Sequence, residues 1–176
     1  EIKNFFVCCG FNSIGIVSAG GAGKVTAEWM INGEVNEDVF SLDITRFEKF
    51  HSETNFIIDR AAESLGNQYA MHWPYKQQKT SRNIKTFPYH DLLKKEGACF
   101  GQVAGFESPL WYAIDGEKPE FKYSFGYQNW YKSAQNETIN TRKNVGFFEL
   151  IPFAKFEIKG EAAYSSLQYL CSNDIK

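Results

Sequence analysis

Gly10-Phe11-Asn12-Ser13-Ile14-Gly15-Ile16-Val17-Ser18-Ala19-Gly20-Gly21-Ala22-Gly23-Lys24 is the stretch on which the fold of this chain turns. Ahead of it, residues 3 to 9 form a short apolar run rich in Phe and Val, which predicts a buried strand. Five glycines fall within the fourteen residues from Gly10 to Gly23, a density that predicts a loop. From Ala22 to Ile31 the spacing of Val25, Trp29 and Met30 becomes helical, and Asn32-Gly33 supplies a left-handed stop. The expected unit is strand, glycine-rich loop, helix. Such a unit gathers backbone N–H groups at a helix N-terminus, where an anion or an electron-rich carbonyl is stabilised. Glycine lets a flat ligand approach the backbone closely.

The loop fails two phosphate-binding patterns. A P-loop needs Gly at position 18 and Ser or Thr at position 25, and the chain has Ser18 and Val25. A dinucleotide fingerprint also fails, because Gly21-Ala22-Gly23 is followed by Thr26 where a third Gly is required. A close crossing of helix and strand that merely needs small residues stands as the structural alternative.

Outward from the loop, residues 34 to 50 read as a connector with a short helical turn around Thr45 to Phe50. A helix is expected over 53–65. The polar stretch 75–85 reads as a surface connection, and 90–96 as a short amphipathic helix closed by Gly97. Strand character over 98–113 is interrupted by Gly105 and Pro109, and Gly116 to Pro119 marks a turn. A polar helix is expected over 133–144, one or two strands over 145–159, and a last helix after Gly160. Helices and strands without strict alternation favour an α+β class.

Composition narrows the function. The 176 residues carry a net charge of −2, which gives no basic face for tracking nucleic-acid phosphates. No apolar run approaches the roughly 18 residues of a membrane span, and with no charged lead-in, apolar core and small-residue cleavage site, no signal peptide is visible. Both ends read as cuts through a longer protein. Cys8, Cys9, Cys99 and Cys171 include no C-x-x-C, and His51, His72 and His90 are dispersed, so a zinc site has little support. Free, mostly buried thiols are expected. His72-Trp73-Pro74 could suggest an aromatic cage, with a buried Trp beside a turn proline as the commoner arrangement. His90 reads as helix-start packing or capping. Glu107 reads as a hydrogen-bond partner in a tight turn, with no second titratable group visibly paired to it, and Asp43 with Arg46 as a local pair. No nucleophile–base–orienter set is visible.

The segment Gly10-Phe11-Asn12-Ser13-x-Gly15-Ile16, followed by Ala19-Gly20-Gly21-Ala22-Gly23-Lys24-x-x-Ala27-Glu28-Trp29, resembles the closing part of the flavin domain in the dimethylglycine/sarcosine dehydrogenase family. The resemblance continues through Asn32-Gly33-Glu34, Leu42-Asp43-Ile44-x-Arg46-Phe47, Leu92-x-x-x-Glu96-Gly97-Ala98, Gly105-Phe106-Glu107-x-Pro109-x-Trp111 and Asn129-Trp130. Phe153-Ala154-Lys155-Phe156-Glu157-Ile158-x-Gly160 and Leu167-x-x-Leu170-x-Ser172-Asn173-Asp174 are similar to the opening of the folate-binding domain shared with the glycine-cleavage aminomethyltransferase.

The resemblance implies three parts. Residues 1–43 would be the C-terminal strand-loop-helix edge of an FAD domain, 44–98 a middle domain, and 99–176 the start of the folate domain. It implies FAD held partly through the backbone of Ser13, Ile14, Gly15, Ile16, Val17 and Ser18, and a tetrahydrofolate site mostly beyond Lys176. Hydride transfer from an N-methylglycine-type amine such as dimethylglycine or sarcosine would be the chemistry, with an electron-carrier flavoprotein as a possible partner. No catalytic residue falls on this chain, and the isolated chain is expected to be inactive. In related amine oxidases a basic or imidazole side chain in this loop helps to hold the substrate carboxylate; Ile14 and Val17 cannot do so. The location implied is cytoplasmic in a bacterium and the mitochondrial matrix in a eukaryote. A non-catalytic homologue, resembling the regulatory subunit of pyruvate dehydrogenase phosphatase, shares Ala27-Glu28-Trp29-Met30 and Leu167-Gln168-Tyr169-Leu170.

Overall fold

In a computed structural model that describes residues 2–175, five α-helices and one antiparallel hairpin form two units, one up to Ile57 and one from Ile58. This bears out an α+β mixture, although several elements differ from those expected.

The first unit holds helix α1 (Gly15–Asn32) and three short 3-10 turns at Phe40–Leu42, Ile44–Arg46 and Lys49–Ser52. The strand expected over residues 3–9 is absent. Asn4 adopts φ 62°, Gly10 φ 86°, and the Phe5 amide turns back to the Ile2 carbonyl. A strand needs a neighbour to pair its N–H and C=O groups, and none is present among the described residues. The loop is also shorter than expected: α1 begins at Gly15 and runs through Gly20, Gly21 and Gly23. Once nucleated, each further residue adds one backbone bond. The propensity cost of three glycines among Ala19, Ala22 and Ala27 does not stop it. Gly33, at φ 78°, ends the helix by donating its N–H to the Trp29 carbonyl, as the sequence predicts. Among the described residues of this unit none is buried.

Helix α2 (Thr54–Asn67) starts in the first unit and continues in the second. The second unit adds α3 (His90–Lys95), β1 (Ala98–Val103), β2 (Phe106–Tyr112), α4 (Tyr131–Lys143) and α5 (Ala163–Leu170). Ala104 (φ 49°) and Gly105 (φ 80°) form a two-residue hairpin turn with both central φ angles positive, the geometry that matches strand twist. The register runs from Ala98 opposite Tyr112 to Val103 opposite Phe106, with a shift between Cys99 and Phe100 where Pro109 enters. Pro109 therefore sits at an irregularity, where a missing N–H is tolerated.

The core is small. Phe87, Ala98, Cys99 and Trp111 are buried, and His90 packs its ring on Phe100 at 4.1 Å. Glu137 of α4 accepts the Tyr112 N–H at 2.9 Å, fixing that helix to β2. Phe121, Tyr123 and Trp130 add edge-on ring contacts. The strands expected over 145–159 are absent. Phe147 and Phe156 are exposed, and the Lys155 ammonium closes a local turn onto the Leu150 and Ile151 carbonyls.

Candidate functional site

The two units present two sites of different character. In the first, Ile14 occupies the N-cap of α1 without a side-chain hydrogen bond, and no acidic residue stands in the first turn. The Ile14 N–H is used by the Phe11 carbonyl, and Ser18 donates to the Ile14 carbonyl at 3.0 Å. Between them lie the N–H groups of Gly15, Ile16 and Val17, which an α-helix leaves without intrahelical partners. Ser13 adopts φ 63° and so turns the chain into the helix. Ser13 to Val17 are exposed and Ser18 is half-buried. The six residues singled out from sequence thus form one helix start and its lead-in. Lys24, the P-loop near miss, lies further along α1, where it pairs with Glu28 and Glu37.

In the second unit, Glu107 of β2 is 1% exposed and paired. Its carboxylate accepts from Arg82 Nε at 2.8 Å, from Arg82 Nη2, from the Asn83 N–H at 2.8 Å and weakly from Gln102. Burial alone would raise this carboxyl. The Arg82 guanidinium, the Asn83 amide and Gln102 together hold it below its ordinary value. The expectation of a locally bonded, unpaired Glu107 is therefore corrected: its partner lies 25 residues earlier, where spacing along the chain gives no signal.

Residues 75–85, expected to be a surface connection, have no regular structure but form an anchored strap. Arg82 also donates to the carbonyls of Gln78 and Phe100. Glu63 of α2 accepts the N–H groups of Lys79 and Thr80, and Arg60 of α2 donates to Thr80, Ser81 and Gln102. The Gln77 side chain accepts the Gln102 N–H at 3.0 Å. Gly101 makes this approach possible, since a Cβ there would stand 2.6 Å from Gln77 Oε1 and 2.3 Å from Leu110 Cδ1. Beside this network Cys99 is buried, and burial pushes its thiol up to about 11 against the partly opposing Arg82 charge.

Three further expectations are settled. Cys8, Cys9 and Cys171 are exposed, so only Cys99 fits the buried thiols expected. Trp73 is 71% exposed rather than buried; its ring meets Tyr75 and, with Pro74, Tyr127, Trp130 and Tyr131, lines a shallow groove of about 270 Å³. Asp43 and Arg46 interact locally as expected: the Arg46 N–H donates to the Asp43 carbonyl at 3.2 Å. The Asp43 carboxyl is held below its ordinary value by Thr45, from whose hydroxyl and N–H it accepts, with the Arg46 charge adding to this. The Arg46 guanidinium also donates to the Ser41 carbonyl. Among the described residues no group of three or more His, Cys, Asp or Glu could hold a metal ion, and no helix is long and apolar enough to cross a membrane.

Residues 32–86 match the family described as FAD dependent oxidoreductase central domain, and residues 89–176 match the GCVT N-terminal domain. The chain thus carries, in series, a central-domain match of the FAD-dependent oxidoreductase type and a glycine-cleavage-type domain. The chain belongs to the dimethylglycine/sarcosine dehydrogenase family. It is 42% identical to 4-methylaminobutanoate oxidase (formaldehyde-forming) of Paenarthrobacter nicotinovorans, over 99% of this chain and 21% of that protein. It is 33% identical to the mitochondrial pyruvate dehydrogenase phosphatase regulatory subunit of Mus musculus, over 99% and 20%. It is 30% identical to mitochondrial dimethylglycine dehydrogenase of Rattus norvegicus, again over 99% and 20%. The chain spans about a fifth of the length of the curated relatives it matches.

Proposed function

We propose that this chain is part of an FAD-dependent enzyme that demethylates an N-methylglycine-type amine, such as dimethylglycine or sarcosine, and passes the one-carbon unit to tetrahydrofolate. Residues 1–43 would close the FAD domain, 44–98 form the middle domain and 99–176 open the folate domain. The observation that carries the flavin part is the uncapped start of α1. Ser13 to Ser18 fit a flavin through their backbone: the N–H groups of Gly15, Ile16 and Val17 suit an electron-rich ring carbonyl. They favour the negative charge that builds as hydride arrives. Flavin, when bound, supplies the hydride acceptor. Loss of hydride from the N-methyl group leaves an iminium carbon, which water converts to formaldehyde and the demethylated amine, or which folate captures.

Ile14 and Val17 offer no charge to a substrate carboxylate, so that contact comes from outside this loop. None of the residues of this chain is assigned to folate. A carrier flavoprotein would take the electrons, and the setting would be the cytoplasm of a bacterium or the mitochondrial matrix of a eukaryote. Identity to the phosphatase regulatory subunit supports a second reading, in which the same fold regulates without catalysis.

The experiment uses a polypeptide of the relatives' length that carries this chain. Its flavin should bleach on mixing with sarcosine, dimethylglycine or 4-methylaminobutanoate. Gly15→Pro removes one donor at a helix position that tolerates proline, and the nearest atom to an added Cβ, Phe11 Cβ, is 3.8 Å away. It should slow bleaching about tenfold, equivalent to roughly 1.4 kcal/mol. Unchanged bleaching in that variant removes the flavin role of the loop, and no bleaching with any amine favours the regulatory reading.

A further inference from the structure

The two family matches meet between residues 86 and 89, yet the physical contacts ignore that seam. Of the donors to the buried Glu107 carboxylate, Arg82 and the Asn83 amide precede the seam, and only the weakly bonded Gln102 follows it. The Glu107 N–H donates across the seam to the Lys85 carbonyl at 2.8 Å, and the Lys85 ammonium lies 4.0 Å over the Phe106 ring. Arg60 reaches Gln102, and Gln77 reaches the Gln102 N–H in the gap that Gly101 leaves. Removal of the strap would leave an ionised carboxylate in the interior with one weak donor, a strongly unfavourable state.

We infer that residues 58–88 and the hairpin fold as one cooperative unit locked by the Arg82–Glu107 pair, so that the seam between the two modules is not a folding boundary. The strap belongs mechanically to the domain that follows it. It holds α2 through Arg60 and Glu63 and β1 and β2 through Arg82, Gln77 and Lys85. This holds whether or not the flavin reading does, because none of these residues takes part in it.

Hydrogen exchange followed by mass spectrometry on the 176-residue chain tests it directly. Peptides covering 77–85 and 98–112 should be protected together and lose protection at the same urea concentration. Glu107→Gln should speed exchange in both segments at least tenfold. The double variant Arg82→Met with Glu107→Met should lose less than the sum of its two single changes, since an apolar pair strands no charge. Should the double variant fail to fold, the wild-type urea series still decides. A strap that exchanges freely beside a protected hairpin overturns the inference, as do unprotected peptides in both segments. Acceleration confined to one segment, or additive single effects, overturns it equally.

Discussion

Helix α1 and the β1–β2 hairpin rest on opposite foundations. Beyond its first turn, helix α1 satisfies its N–H groups internally, and it buries none of its side chains. The hairpin is short, but around it lie Trp111, Cys99, Glu107 and Ser108, all buried. One element is specified by local bonds and leaves an uncapped end exposed; the other is specified by distant partners and leaves almost nothing exposed at its centre. Exposed backbone donors suit ligand binding, whereas a buried ion pair suits fixed geometry. On the function proposed above, the contrast separates the part of the chain that would meet a ligand from the part that holds shape.

The sharpest way to break the comparison is to strand the charge on the hairpin side. Glu107→Ala leaves the Arg82 guanidinium, which also serves the Gln78 and Phe100 carbonyls, without its carboxylate. A loss of about 3–5 kcal/mol is expected from breaking a buried pair, read as a lower urea midpoint by Trp fluorescence. A change below about 1 kcal/mol would show that water already serves Glu107. The pH dependence follows the same logic. The folded carboxyl lies below its ordinary value of 4.5, so its contribution is present above that value. It is lost as pH falls through the lower folded value. The stability gap between the wild type and Glu107→Gln should therefore be widest above pH 4.5 and close as pH falls through the folded value, read as urea midpoints across that range.

Much of the local structure was legible in sequence because it depends on local chemistry. Gly33 and Gly97 stop helices through positive φ, and α2, α3, α4 and α5 follow apolar spacing or polar runs. The strands over 3–9 and 145–159 were misread because Phe and Val content reports a wish to be covered. It carries no information on whether a pairing strand exists. The strap was misread for the converse reason. Its Lys, Gln, Ser and Arg are polar, yet Gln77, Gln78, Thr80, Ser81 and Arg82 are half-buried. One signal was available: Arg60, Glu63 and Asn67 share a face of α2 at helical spacing, and that polar face is the inward one. Apolar periodicity reads the other side of the helix. The candidate flavin residues share one helix start because they are contiguous, whereas the partners Arg82 and Asn83 of Glu107 lie 25 and 24 residues away, where spacing gives no signal.

A smaller effect is expected at Cys99. Burial raises its thiol from 9.0 to about 11, so the folded state retains a proton that the unfolded state releases. Stability is full below pH 9 and declines as pH rises toward 11, by roughly 2 kcal/mol at the upper end. Alkylation should correspondingly label Cys8, Cys9 and Cys171 quickly and Cys99 only on unfolding. Rapid labelling of Cys99 in the native chain would mean that the hairpin opens far more readily than its buried contacts suggest.

The smallest expected change falls on α1, and its sign carries the information. No atom lies within 4 Å of a Cβ built at Gly20, Gly21 or Gly23, and each glycine costs an exposed helix about 0.5–1 kcal/mol relative to alanine. In this chain each Gly→Ala change should therefore raise helicity and slow amide exchange within α1, by circular dichroism and mass spectrometry. The same substitutions in a polypeptide of the relatives' length give a second reading. If they still stabilise there, that surface of α1 remains open and its glycines have no packing role. If they instead destabilise and weaken flavin retention, the small residues meet a neighbouring surface. The contrast with the hairpin would then be one of when each element is covered, because α1 would acquire from the rest of the protein the burial that the hairpin draws from its strap.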